Sequence, residues 1–335
     1  MTRIGVLGAG SWGIAVSVLL NGTGHRVRLW EFDPEAAENL KARRELKEKL
    51  PGVLIPHRVE ITNRLDVAVS QAEVLALALP SHTVRGVARK LARLQLGDPI
   101  LVNLAKGIEN KTLMRMSEVL KQELPARLHQ SITTLSGPSH AEEVARKIPT
   151  TVVVAGFKEE VARRVQRAFM TPHFRVYTNS DLMGVELGGS LKNVIAIASG
   201  ICDGMGLGDN SKGALLSRGL AEIIRLGEKL GAKRETFSGL SGLGDLVTTC
   251  MSRYSRNRFV GEQIGKGKSL AQVQAGMSMV AEGVKTTRSA HQLSLRYDVE
   301  MPITRQVYRV LFHGKKPKRA IMELMTRDPK SEIWS

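Results

Sequence analysis

The chain is poor in the residues that staple small folds or bind metals. Its 335 residues include only two cysteines, Cys202 and Cys250, far apart and in no metal-binding or redox spacing. That excludes a disulfide framework and a cysteine-based zinc site, and a reducing cytoplasm is the expected compartment. Aromatic residues make up 4% of the chain, so aliphatic side chains have to build the core. Acidic residues are in deficit, 32 against 49 lysines and arginines, which leaves a formal net charge of +17. A balance of that sign attracts nucleic acid, anionic membrane or phosphorylated small molecules, and charge alone does not choose among them. The basic residues are scattered through PEAAENLKARRELKEKL, VRGVARKLARL and HGKKPKRAIMELMTRDPK, so they read as solvated helix faces and not as a nucleic-acid-binding arm. Long apolar runs are also scarce. The opening IGVLGAGSWGIAVSVLL after Arg3 imitates a signal peptide, but its spaced glycines and the charged strand after it argue otherwise. No other segment offers the run of about 18 apolar residues that a membrane span needs, so a soluble, mature chain is expected. Internal repeats, low-complexity tracts and long linkers are missing too.

What is present is a regular alternation. With 42% hydrophobic residues the chain can bury a sizeable core, and its length suggests two domains. From residue 3 to about 178, the β-rich runs RIGVL, RVRLW, RVEIT, EVLALAL, PILVNL, SITTL, TTVVVA and FRVYT alternate with helical segments. Among the latter are SWGIAVSVLL, PEAAENLKARRELKEKL and SHTVRGVARKLARL. This pattern predicts parallel strands joined by crossover helices, a doubly wound α/β sheet. After about residue 180 the strand signal stops and glycine-punctuated aliphatic helices follow. The expected division is therefore an α/β domain over residues 1–180 and an all-α domain over residues 181–335.

The stretch GVLGAGSWG sets Gly8, Gly10 and Gly13 in the G-x-G-x-x-G pattern, directly after the first strand and at the start of a helix. In a Rossmann-type sheet, the first glycine permits a tight turn, the second admits a pyrophosphate and the third allows the helix to pack on the strand. Free amides at the helix start then hold the phosphates. The next strand ends in LWEFDP, where Glu31 and Asp33 both have the spacing of an acid that binds the adenosine ribose. Phe32 between them could stack on adenine or cover the domain edge. Arg43, Arg44 and Lys49 follow in the predicted helix, which leaves the choice between NAD and NADP open.

Four further stretches put polar groups in unusual company. They are NLAKGIE, SGPSHAEEVA, GVELGGSLKNVIAIASG and GLSGLGDLVTTCMSRYSRNRFVG. Together with the glycine loop, and with GLGDN, SRGLAE, VAEGVKT and MPIT, they closely resemble the bacterial NAD(P)-dependent glycerol-3-phosphate dehydrogenases over nearly the whole chain. The resemblance implies interconversion of dihydroxyacetone phosphate and sn-glycerol 3-phosphate, which supplies the glycerol backbone of phospholipids. It implies that Lys192 is the catalytic proton donor and acceptor, and that Lys106 touches both substrate and nicotinamide. Gly137, Ser139, Asp245, Ser255, Arg256 and Asn257 match substrate positions. Ser11, Trp12, Ala141, Val280 and Glu282 match cofactor contacts, and Arg256 is shared with the cofactor. Phe32 stands where the family often has histidine or arginine, which puts its 2′-phosphate contact in doubt and points to use of NADH at least comparable to NADPH.

The residues themselves support this chemistry. Reduction of a ketone builds negative charge on oxygen, so a nearby proton donor lowers the barrier, and burial or a second cation can depress a lysine enough to serve in both directions. Lys106 could be that second cation. The alternative for Lys192 is a snorkelling side chain, but Gly188 and Gly189 lie under the turn over which it leans, and glycines inside a helix suggest close approach of a ligand or another backbone. Asp245, among glycines and leucines, either orients a lysine, bonds a substrate hydroxyl or caps the helix before LVTTC. SRYSRNR suits a phosphate ester, and His140 reads as packing at a helix start rather than as an acid. No histidine and carboxylate grouping has metal-ligand spacing, so no metal is expected. Neither nucleic acid nor a membrane span is expected, and a homodimer stays open. The competing readings are a 6-phosphogluconate or β-hydroxyacid-type dehydrogenase and a non-catalytic dinucleotide sensor.

Overall fold

The computed structural model describes residues 1–277 and 279–332. Each of the eight β-rich runs contains a strand. They are β1 (Arg3–Leu7), β2 (Arg26–Trp30), β3 (Glu60–Thr62), β4 (Val74–Leu77), β5 (Ile100–Asn103), β6 (Ile132–Ser136), β7 (Thr150–Gly156) and β8 (Phe174–Asn179). They form one sheet in the order β3-β2-β1-β4-β5-β6-β7-β8. Alternation within a strand serves two cores. Val74 and Ala76 join one apolar cluster, and Leu75 and Leu77 join the other. Central parallel strands covered by helices on both faces therefore read as continuous apolar runs.

Two expectations need correction. The sheet is not parallel throughout, because β6 and β7 pair antiparallel, with Ser136 opposite Val153. The link between them holds only the short helix Ala141–Ala145. That helix packs on Ser11–Gly22 at the carboxyl end of β6, so the chain re-enters the sheet from the end it has just left. The helix Glu159–Phe169 then provides a crossover, and β7 and β8 are parallel to each other. The second correction concerns PEAAENLKARRELKEKL, which is helical only over Pro34–Arg43. Arg44 adopts a left-handed conformation (φ 54°), and its guanidinium donates to the Val59 carbonyl at 2.8 Å. Stopping there lets Leu50, Val53 and Ile55 drop into the sheet core, a gain that outweighs the local helical preference.

Beyond residue 181 the described secondary structure is helical. The central element is the lysine helix, Leu182–Gly204, whose first turn is capped by Asp181 accepting from the Gly184 amide at 2.9 Å. By length and composition it could cross a membrane, but 94% of its apolar window is buried inside the fold. Its second half crosses the helix Arg256–Gly265 at very close range. A Cβ on Gly200 would stand 1.9 Å from the Arg258 carbonyl oxygen, and one on Gly261 would stand 2.0 Å from that of Ile197. Small residues on both sides thus bring the two backbones together and fix SRNR beside the lysine helix. Both cysteines are buried and free, and burial pushes the Cys250 thiol up to about 12, which leaves it unreactive at neutral pH.

Candidate active site

The order β3-β2-β1-β4 reverses direction between β1 and β4, so their carboxyl ends open a crevice. The glycine loop occupies it. Gly8 has φ +106°, and a Cβ there would lie 2.6 Å from the Ala78 carbonyl oxygen. A Cβ on Gly13 would lie 1.8 Å from the Gly8 oxygen, whereas one on Gly10 would meet none of the described residues within 4 Å. The first and third glycines therefore pack protein against protein, and the second faces open space. The helix Ser11–Gly22 begins there with no side-chain cap and no acidic residue in its first turn, so its amides and dipole are left for an anion. These features fit the pyrophosphate of a dinucleotide.

Trp12 packs partly buried against the sheet core, and the Ser11 hydroxyl donates to the Lys49 carbonyl at 2.9 Å. At the end of β2, Asp33 caps the next helix by accepting from the Ala36 amide at 2.8 Å. Glu31 accepts from the Asp33 amide at 3.2 Å. Phe32 is 73% exposed, so it does not cover a domain edge, and its ring is free to meet a ligand.

Lys106 follows β5 on a turn held by Asn103, whose side-chain oxygen accepts from the Ala105 amide at 3.1 Å. Its Nζ donates to the Gly137 carbonyl at 3.0 Å and to Asp245 Oδ2 at 2.8 Å. Lys192 reaches the same carboxylate from the other side. It donates to Asp245 Oδ1, and to Thr249 Oγ1 at 2.6 Å. One carboxylate thus bridges two ammonium groups, with side chains 22% exposed for Lys106, 6% for Lys192 and 2% for Asp245. Asp245 is the first residue of the helix Asp245–Met251, and Gly244 holds the cap position, so the cap reading gives way to lysine orientation.

Electrostatics follow from this packing. Burial lowers Lys192 to about 7, against the upward pull of Asp245 and assisted by the Lys106 charge. Burial alone would raise Asp245, but Lys106 and Lys192 more than offset it, and its carboxyl lies below the ordinary value. The cluster therefore holds an ionised carboxylate and a lysine poised to gain or lose a proton near neutral pH. His140 precedes the helix Ala141–Ala145, and its ring lies 5.9 Å from that of Tyr254 between centroids. Burial and the Lys192 charge push it down to about 4, which leaves it neutral at pH 7.

The two glycines under Lys192 make room for protein. A Cβ on Gly188 would meet the Ser241 carbonyl oxygen at 2.6 Å, and one on Gly189 the Ser136 hydroxyl at 2.5 Å. They allow the turn before Asp245 and the end of β6 to close on the lysine. Around the cluster, Ser139 donates to the Gly137 carbonyl at 2.9 Å, and Ala141 is buried. Ser255 caps Arg256–Gly265 by accepting from the Arg258 amide at 3.1 Å. Asn257 is buried, donating to Asn193 at 2.8 Å and accepting from the Gly283 amide at 2.8 Å. Arg256 is exposed as a residue, although protein crowding around its guanidinium lowers its pKa from the usual arginine value. Glu282 accepts from the Ser81 amide at 2.9 Å and from its hydroxyl at 2.5 Å, tying the end of β4 to the helix Glu282–Arg296. Val280 is 39% exposed, and neighbouring Met279 places its sulfur 3.6 Å from the Ser11 hydroxyl.

The family profiles described as NAD-dependent glycerol-3-phosphate dehydrogenase N-terminus and C-terminus match residues 3–162 and 181–322. The chain belongs to this family. It is 52% identical over 330 residues to glycerol-3-phosphate dehydrogenase [NAD(P)+] of Chlorobium luteolum, covering 98% of this chain and 99% of that protein. It is 53% identical over 331 residues to the protein of the same name from Carboxydothermus hydrogenoformans, covering 99% and 98%. A solved glycerol-3-phosphate dehydrogenase from Coxiella burnetii superposes with a TM-score of 0.92 at 35% identity, covering 97% of this chain and 99% of that one.

Two features of this dehydrogenase cleft lie outside the expectations drawn from the sequence motifs. Thr249 stands four residues after Asp245, a spacing that puts both on one helix face and could have revealed it. The Ser81–Glu282 clamp joins residues 201 apart in the chain, and no local pattern announces it.

Proposed function

We propose that this enzyme reduces dihydroxyacetone phosphate to sn-glycerol 3-phosphate, and runs the reverse reaction, with Lys192 as the acid and base. The carrying observation is the largely buried Lys192–Asp245–Lys106 bridge just past the carboxyl ends of β5 and β6, on the same edge of the sheet as the glycine loop. NADH or NADPH, when bound, supplies the hydride. Lys192 gives its proton to the carbonyl oxygen as negative charge develops there, and takes one back in the oxidative direction. Asp245 and Thr249 aim the ammonium, and Lys106 adds a second positive charge over the same oxygen. Arg256, with Ser255 and Asn257 at the start of its helix, receives the substrate phosphate, for which a guanidinium fork is suited. Gly137 and Ser139 line the opposite wall. Gly8, Gly10, Ser11, Trp12 and Gly13 hold the pyrophosphate, Phe32 meets the adenosine end, and Ala141, Val280 and Glu282 complete the dinucleotide site. In this reading residues 1–180 bind the cofactor and residues 181–335 bind the substrate, in a reducing cytoplasm, and the product enters phospholipid synthesis.

The test is oxidation of NADH and NADPH with dihydroxyacetone phosphate by the wild type and Lys192→Ala. The wild type should turn over, and the variant should lose about 10²-fold or more in kcat. A silent wild type would overturn the function, and an undiminished variant would overturn only the role of Lys192.

A further inference from the structure

The helix that starts at Glu282 in the cleft carries His291 nine residues further on, about 14 Å along its axis. There, outside the cleft, lies a concavity of about 890 Å³. Arg305, Arg309, Lys315, Lys316 and Arg319 line it together with one carboxylate, Glu323. That carboxylate is already shared. Lys315 donates to it, Arg319 Nε lies at 3.3 Å and Arg309 Nη1 at 3.9 Å. Arg305 and Lys316 have no side-chain hydrogen bond or ion pair among the described residues.

Arg305, Arg309, Lys316 and Arg319 are exposed and only the Lys315 side chain is largely buried, so water screens each charge taken singly. Around a shared concavity they focus a positive potential, which is relieved by an anion. The ring of His291 senses this field. Burial lowers its pKa, and the charges of Arg305, Arg309 and His313 lower it further. Among the described residues its buried Nδ1 has no hydrogen-bond partner, and the ring stacks on Tyr308 at 4.1 Å between centroids, forming one wall of the pocket.

We propose that this pocket binds the linked phosphates of a small di- or triphosphate ligand. The excess of cations over carboxylates is comparable to the charge of two or three phosphate groups, and the guanidinium fork of an arginine matches phosphate oxygens. Concavity favours a small ligand over a flat lipid surface.

The experiment is calorimetric titration of inorganic pyrophosphate into the full-length protein with NADH saturating, which keeps the glycine loop occupied. One saturable site is expected, and Arg305→Ser/Lys316→Ser should weaken it by about tenfold or more, with turnover of dihydroxyacetone phosphate unchanged. The binding readout is independent of activity. No saturable binding, or equal affinity in the double variant, overturns the proposal. Sedimentation with anionic phosphatidylglycerol vesicles that the double variant abolishes, without pyrophosphate binding, also overturns it and assigns the patch to a membrane.

Discussion

Asp245→Asn isolates what the shared carboxylate does for Lys192. The substitution keeps shape and one acceptor but removes the charge that draws the lysine pKa upward. Burial and the Lys106 charge then prevail, so the Lys192 pKa falls below about 7. Even with the dielectric of water, two charges about 3 Å apart interact by about 1.4 kcal/mol, or one pKa unit, and the dry site makes this a lower bound. Ketone reduction requires protonated lysine. Its kcat/KM therefore declines as pH rises through about 7 in the wild type, and through about 6 or lower in the variant. At a pH of about 8 the protonated fraction differs by about tenfold between the two. In the oxidative direction, which needs neutral lysine, the rising limb moves to lower pH by the same amount. The assay is kcat/KM for dihydroxyacetone phosphate across the neutral range, with a melting curve to show that the variant folds. A limb that stays in place, or moves to higher pH, refutes the electrostatic reasoning even if overall activity drops.

Other outcomes follow from the same geometry. Gly13→Ala drives a Cβ to within 1.8 Å of the Gly8 oxygen, and strain of about 1–3 kcal/mol should appear as a lower melting temperature and weaker NADH binding by fluorescence titration; a variant with full affinity and unchanged melting contradicts the packing role. Arg256→Ala should raise the KM for dihydroxyacetone phosphate by about ten- to hundredfold, the loss expected for a hydrogen bond to a charged group, and an unchanged KM removes Arg256 from the phosphate site. Because Phe32 offers no charge to a 2′-phosphate and stands exposed at the adenosine end, kcat/KM measured by steady-state kinetics should be at least comparable for NADH and NADPH. A large NADPH preference would defeat that inference.

Local sequence is enough to place the strands and the glycine turns. β-branched runs bounded by polar residues commit to strands within a few residues, and the Gly8–Gly13 loop acts through contacts inside one strand–turn–helix unit. The helix carrying Lys192 was legible for the same reason, since its cap and its apolar content are local. Which charges meet depends on the folded chain. Lys106 and Lys192 converge on Asp245 from 139 and 53 residues away, and Asp245 alone was compatible with a cap, a hydroxyl contact or an orienting role. The same holds for the reversed β7, set by a link that starts and ends at one side of the sheet, and for the early stop at Arg44, where burial of Leu50 and Ile55 overrode helical preference. Local propensity amounts to tenths of a kcal/mol per residue, whereas burying an apolar side chain or pairing a buried charge is worth about 1–3 kcal/mol. The long-range terms are larger, and they depend on partners that periodicity and spacing do not specify.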